Sequence, residues 1–272
     1  MSFFVENYCE FPNAVRKPMW QLWHKLMIRF DKDIAANFMN YGYGSLYDDT
    51  PVKLNKEDEI NRYCIQLYDH LARKTDFESK DILEVGSGRG GGASYIARYY
   101  KPKSYTGLDI SGSVIDFCNL YYNIPGLFFV KGIAEKEPFE NNSFDIVMNV
   151  ESARCYSSLS VFFLEVARVL RPGGYFLFAD MMQKGEVVDM RLIIKECGFD
   201  ITGEQNITPN VVEALDKDTL RREMLIHEKI PGFLKKSFFR FAAIKGSERY
   251  ESFRNGKFEY WSFRLKKRML NN

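Results

Sequence analysis

Glu84-x-Gly86-x-Gly88-x-Gly90 sets a carboxylate and three glycines at alternate positions within DILEVGSGRGGG, residues 81–92. Glycines at this spacing let a ligand lie almost on the backbone, where a Cβ would collide. The loop N–H groups, with Ser87 among them, and the start of a following helix are then expected to face that ligand. The spacing fits two patterns. Gly86-x-Gly88-x-x-Gly91 satisfies a dinucleotide fingerprint. Glu84 argues for another occupant, because a carboxylate at a strand's end is unfavourable beside a pyrophosphate and favourable beside an ammonium group. An ordinary glycine-rich turn is the plain alternative.

A second acid stands at the distance such a site needs. Asp109 closes SYTGLDI, 18 residues after Gly91, where a ribose-binding carboxylate belongs. A carboxylate accepts from both hydroxyls of a ribose diol. Ile110 follows it. The loop Lys131 to Phe139 is expected to meet a base through Ile133, Ala134 and Glu135. FDIVMNV then ends at Asn149, Val150 and Glu151, at the same edge of the predicted sheet.

These residues need alternating strands and helices to bring them together. Ile82, Leu83 and Val85 suit a buried parallel strand, and Ala93 to Tyr100 a helix. Further strands are predicted at 104–110, 127–130, 144–150, 175–179 and near Ile201, with helices at 114–122, 161–170 and 186–197. Arg171-Pro172-Gly173-Gly174 reads as the stop after a helix. Upstream, residues 55–73 read as a helix capped by Asn55 and loaded with Glu57, Asp58 and Glu59, with Ile60, Cys64, Leu67 and Leu71 on its apolar face. Residues 208–250 interrupt the alternation as a helical insertion. FEYWSFRL, 258–265, alternates as a last strand does. Pro18 to Phe30 is aromatic and helical in pattern; core packing, a lid over an apolar substrate and a membrane-surface helix all remain open for it.

Composition narrows the function classes. The chain has 272 residues, enough for one large α/β domain with an accessory cap or for two small ones. A net charge of +2 makes no case for nucleic acid. The five cysteines, Cys9, Cys64, Cys118, Cys155 and Cys197, are dispersed without a CxxC pair. They suit reduced thiols in the cytoplasm and argue against zinc or a disulfide framework. No signal peptide and no membrane span are expected. Between Arg221 and Lys245 seven Lys/Arg face two Glu, with phenylalanines interleaved; this suits an anionic amphiphile or lipid surface, and equally a solvated face. Aromatic residues are 15% of the chain, which fits an apolar pocket or a well-filled core.

LEVGSGRGGG, YTGLDIS, FDIVMNVES and EVARVLRPGGYFLFAD resemble the cofactor motifs of class I S-adenosylmethionine-dependent methyltransferases. MNYGYG, LYDHLA, GGGASYIARYYKPKSYTGLDIS, NVESARCY and KFEYWSFRL resemble the phthiotriolone and phenolphthiotriolone dimycocerosate methyltransferase group, which O-methylates large polyketide-type lipids. The match runs over about residues 39–265. The resemblance implies an α/β, Rossmann-like, seven-stranded sheet with helices on both faces. It implies an N-terminal helical cap at 1–75 and a cofactor domain at 76–272 carrying the substrate-cap insertion at about 208–250. It also implies S-adenosylmethionine, held by Glu84, Gly86, Ser87, Gly88, Gly90, Asp109, Ile110, Ile133, Ala134, Glu135 and Asn149, with no metal.

The expected reaction is methyl transfer to a small or lipid-like hydrophobic acceptor, at oxygen first, with nitrogen or carbon behind it. A NAD(P)-dependent oxidoreductase and a binding or regulatory protein without turnover are the other classes. An oxygen acceptor must lose a proton, and Glu151, His227 and His24 are the base candidates. Tyr41, Tyr43 and Tyr156 are candidates to shape the methyl channel. Two positions depart from the relatives. Ile133 stands where an Asp accepts from the adenine amine, a role Glu135 is placed to take over. Arg154 stands where they carry His, and arginine is no base near neutral pH.

Overall fold

The computed structural model describes residues 37–47 and 52–269. The predicted helix from Pro18 to Phe30, with His24, lies outside them. Seven strands form one sheet in the order β3-β2-β1-β4-β5-β7-β6. They are β1 (Asp81–Val85), β2 (Ser104–Asp109), β3 (Leu127–Lys131), β4 (Phe144–Val150), β5 (Leu170–Gln183), β6 (Phe199–Asn206) and β7 (Phe258–Lys267). Strands β1 to β5 pair in parallel, and β7 runs antiparallel between β5 and β6. The helices are α1 (Arg62–Ala72), α2 (Gly91–Tyr99), α3 (Gly112–Tyr121), α4 (Leu159–Val169), α5 (Val187–Glu196), α6 (Thr208–Lys229), α7 (Lys235–Phe241) and α8 (Glu248–Arg254). Helices α6, α7 and α8 fill the interval between β6 and β7.

Alternation along each strand divides the core in two. Ile82, Ile146, Met148 and Leu177 pack with α1, α2, α3, α6 and α8 on one face. Leu83, Val85, Val147, Phe176 and Phe178 pack with α4 and α5 on the other. The buried aromatics of this second layer are all phenylalanines, Phe144, Phe162, Phe163, Phe176, Phe178, Phe199 and Phe263. Phe163 contacts Phe162, Phe176, Phe178 and Phe199 edge-on, with centroids 5.2–6.3 Å apart. Such pairs add to plain area burial.

The elements differ from expectation chiefly at three places; α3 and α4, like α2, also begin two residues early. Arg171-Pro172-Gly173-Gly174 is no loop: β5 already begins at Leu170 and absorbs the glycines through a shift in register against β4 between Phe144 and Ile146. Asn55 caps nothing, because α1 starts only at Arg62 after a short 3-10 turn, Glu59–Asn61. That turn leaves Ile60 63% exposed, off the apolar face. Asp58 grips Arg98 through both oxygens at 2.7 Å and Tyr99 at 2.6 Å, joining the turn to α2. Helix α2 begins two residues early, at Gly91, behind a left-handed Gly90.

Candidate cofactor and acceptor site

The carboxyl ends of β1, β2 and β4 gather the residues that the sequence singled out. At the end of β1 the chain turns sharply through Gly86, with φ +77°. A Cβ there would strike Ser152 Oγ and come within 2.8 Å of the Tyr156 hydroxyl. The glycine therefore admits the protein's own β4–α4 turn. Four of the loop amides expected to face a ligand are engaged within the protein. Gly86 and Ser87 donate N–H to Leu108 O at 2.7 and 3.0 Å, and Gly90 donates to Ser87 O at 3.0 Å. Gly88 donates to Asp109 Oδ2 at 3.1 Å. The turn doubles back on the end of β2, whose acceptors take the donors of Gly86, Ser87 and Gly88.

Asp109 is buried at the last position of β2. Its Oδ1 accepts from Ser111 N–H at 2.8 Å, so each oxygen holds one backbone amide and keeps a second lone pair. Ile110 beside it is half-buried. In the next loop Ile133 is 40% exposed and Ala134 is buried. Glu135 accepts from the Ser157 amide, which ties this loop to the β4–α4 turn. That bond occupies Oε1, so Glu135 is not an unengaged replacement for the missing Asp.

Glu84 lies deeper than expected. It is fully buried, and its oxygens accept from the hydroxyls of Tyr68 at 2.7 Å and Tyr105 at 2.9 Å. Burial pushes its carboxyl up to about 7 although both hydroxyls favour the charged form. It is sealed beneath the loop, so a direct contact with a ligand ammonium is not what this arrangement offers. Asn149, equally buried, lies against the β4–α4 turn. Its Nδ2 lies 2.9 Å from Val85 O, 2.7 Å from Ser152 Oγ and 2.9 Å from the Tyr156 hydroxyl. Its Oδ1 and Ser87 Oγ are buried and without a hydrogen-bond partner among the described residues.

Glu151 follows β4 in a left-handed conformation, φ +52°, rare for a residue with a Cβ. Its N–H donates to Ala179 O at 2.9 Å. Its Oε1 accepts from Tyr41 N–H at 2.7 Å and from the Tyr260 hydroxyl at 2.8 Å. Among the described residues Oε2 has no hydrogen bond. Burial holds the carboxyl up at about 8, against the pull of these two donors. Buried Asp180, pushed up to about 6 by burial, accepts from Ala153 and Met181 N–H and braces the turn.

The other candidates fall in different places. Tyr41 packs edge-on to Phe253, and burial raises its hydroxyl to about 12. Tyr43 stacks on His70 at 4.5 Å. His227 is exposed near the end of α6, beside Lys235 and edge-on to Phe239. None of its contacts touches Glu151, so the structure does not join the two proposed bases. Arg154 lies against the Phe258 ring, donates to Met181 O at 3.1 Å and pairs with Glu186 at 3.5 Å. Tyr260, Asp180 and Tyr68 were missed. Tyr260 carried only the alternation of a last strand, which says which face it takes and not what it holds.

A family model described as a methyltransferase domain matches residues 83–178, from β1 to β5. The chain is 39% identical over 231 residues to a fatty-acid O-methyltransferase of Mycolicibacterium smegmatis, covering 84% of this chain and 82% of that one. It is 35% identical to the phthiotriol/phenolphthiotriol dimycocerosates methyltransferase of Mycobacterium tuberculosis, covering 90% of each. The chain belongs to this family of class I S-adenosylmethionine-dependent methyltransferases. Solved structures agree on the fold. A putative sarcosine dimethylglycine methyltransferase from Galdieria sulphuraria superposes with TM-score 0.71 at 18% identity, covering 90% of this chain and 98% of that one. A geranyl diphosphate C-methyltransferase from Streptomyces coelicolor A3(2) superposes with TM-score 0.61 at 17% identity, covering 88% and 93%. The antiparallel β7 and these relatives together set the dehydrogenase reading aside.

The residues of this methyltransferase fit its cofactor. Asp109 offers two lone pairs to a diol at the sheet's edge. Asn149 Oδ1 and Ser87 Oγ, orphaned on either side of Gly86, are the kind of buried polar atoms that a ligand's amino and carboxylate groups satisfy. Among the described residues no group of three or more His, Cys, Asp or Glu is arranged to hold a metal, and no helix is long and apolar enough to cross a membrane.

Proposed function

We propose that this methyltransferase transfers a methyl group to an oxygen of a lipid-like, hydrophobic acceptor. S-adenosylmethionine supplies a methyl already activated by its sulfonium. The protein's tasks are to bind, to orient the acceptor, to exclude water and to manage one proton. Asp109 holds the ribose. Ile110, Ile133 and Ala134 flank the base, and Asn149 and Ser87 hold the amino-acid end. The observation that carries the reading is Glu151: a half-buried carboxylate of raised proton affinity, fixed through Oε1 and with no hydrogen bond to Oε2 among the described residues. Such a group takes a proton from a hydroxyl as the new bond forms. His227 and Tyr43 have no place in this scheme, and Tyr41 acts through its backbone. The relatives' names supply the substrate class, and the phenylalanine-rich insertion suits it.

Of the cap at residues 1–75 the described part, 37–47 and 52–75, is assigned with the insertion at 208–250 as covering the carboxyl edge. Gly44 and Asn210 exchange two hydrogen bonds across them, at 2.8 and 2.9 Å. A cytoplasmic setting goes with the buried thiols Cys64, Cys118 and Cys197. The test is mass spectrometry of purified protein with S-adenosylmethionine and a panel of long-chain alcohols, phenols, fatty acids and amines. One methyl increment on an oxygen of a long-chain compound is expected. Methylation confined to the amines would overturn the reading, as would cofactor binding without turnover on any member.

One relative methylates fatty acids, and Glu151 favours that acceptor in a second way. Protonated below pH 8, it can donate a hydrogen bond to an acceptor carboxylate, which needs no base.

A further inference from the structure

Arg222 is an internal residue of α6, 8% exposed, and the chemistry above gives it no part. Its Nε donates to Asp218 Oδ2 at 2.8 Å, one turn earlier. Nη1 donates to Ala242 O at 3.2 Å. Nη2 donates to Asn40 O at 3.1 Å and Tyr41 O at 3.0 Å. A guanidinium suits this use, because its donors lie in one rigid plane.

The carbonyl of Asn40 and the N–H of Tyr41 belong to one peptide unit. That unit is planar and stiff. Arg222 grips its oxygen, and its N–H is the donor 2.7 Å from Glu151 Oε1. A cation on the carbonyl side polarises the amide and strengthens the bond on the other side. We propose that Arg222 is a positioning residue, which through the Asn40–Tyr41 peptide sets both the place and the proton affinity of Glu151. The claim rests on Glu151 being the acceptor-side carboxylate. It adds that the insertion governs this group, although α6 and β4 share no strand pairing or loop.

The charge of Arg222 itself also acts on Glu151, and Tyr41, Cys64 and Tyr68 lie within electrostatic reach of that carboxyl. Asp180 of β5 and the Tyr260 hydroxyl of β7 face it, and Arg249 of α8 acts on Tyr41. Apart from Arg222, Cys64 also touches this peptide, its Sγ donating weakly to Asn40 O at 3.7 Å. Loss of Arg222 leaves Asp218 still paired to both donors of Arg221, at 2.6 Å each, so Arg222→Gln strands no buried carboxylate.

The experiment is a carbon-13 NMR titration of glutamate-labelled full-length protein, with the Glu151 signal assigned by its loss in Glu151→Gln. In Arg222→Gln the Glu151 carboxyl should titrate about one pH unit higher, as expected from losing one strong hydrogen bond to the charged form. Arg222→Lys, which keeps the charge beside Asp218 and loses the fork, should fall between the two and serves if Arg222→Gln does not fold. A folded Arg222 variant that titrates as the parent does overturns the proposal. Failure of the base reading looks different: Glu151→Gln would then turn over the active acceptor at the parent rate, whatever the titration shows.

Discussion

The backbone N–H of Tyr41 meets Glu151 Oε1 at 2.7 Å across 110 residues of sequence. A carboxylate bound on one oxygen only is held in place yet keeps its other oxygen for a proton. Glu151→Gln preserves the shape and the hydrogen bonds to Oε1 and removes the base. For a hydroxyl acceptor kcat should fall by about 10²- to 10⁴-fold. Binding of S-adenosylhomocysteine, measured by calorimetry, should stay within about twofold, because no part of Glu151 is assigned to the cofactor. Retained turnover in the folded variant would remove Glu151 from the mechanism.

The pH profile separates the two oxygen acceptors. Glu151 ionises at about 8 in the folded protein, so its basic form grows as pH rises to that value. With a long-chain alcohol or phenol, kcat/KM should climb from pH 6 and level off near 8. With a fatty acid the nucleophile is already charged, and the protonated Glu151 is the helpful form. That rate should be flat or fall through the same range. Parallel rate–pH curves for the two acceptors would show that this carboxyl does not control the proton.

Asp109 joins the cofactor reading to the loop's own geometry. Its two oxygens hold the amides of Gly88 and Ser111. Asp109→Ala should therefore weaken S-adenosylhomocysteine binding by about 1–3 kcal/mol and also lower the melting temperature, since two buried amides lose their acceptor. Asp109→Asn keeps one acceptor oxygen and should do less of both. Calorimetry and thermal denaturation on the same samples read the two effects. Unchanged affinity in a folded Asp109→Ala protein would refute the assignment.

The strands were legible because apolar runs such as Ile82 to Val85 leave little else for the chain to do. The ends of elements were less so. Whether Arg171 to Gly174 breaks a helix or enters a strand depends on the register against β4, which is a property of two segments. Asp109 could be placed by its distance from the glycines, since one βα unit fixes that spacing. The surroundings of Glu84 could not. Its tyrosine partners come from α1 and β2, 16 and 21 residues away, and nothing at their own positions marks them as lids on a carboxylate. The clamp from Arg222 to Asn40 spans 182 residues and lies beyond any local pattern.

Glu137 gives a prediction about stability. It is 4% exposed, and neither carboxyl oxygen has a hydrogen-bond partner among the described residues. Burial, with repulsion from Glu165, holds it up at about 8 against the attraction of Arg168. Unfolded, it ionises near its ordinary value of 4.5. Between these values the folded state carries a proton that the unfolded state has lost, so the group's contribution is intact below 4.5, is lost as pH rises through 8, and levels off above it. Glu137→Gln stays neutral throughout. Its advantage over the parent should be small at pH 5 and larger by about 4 kcal/mol at pH 9, seen as a higher denaturation midpoint. Glu84, Glu151 and Asp180 share the sign of this effect, but they are present in both proteins and drop out of the comparison. A difference that does not change between pH 5 and pH 9 would mean that Glu137 pairs with something in the folded state and carries no such penalty.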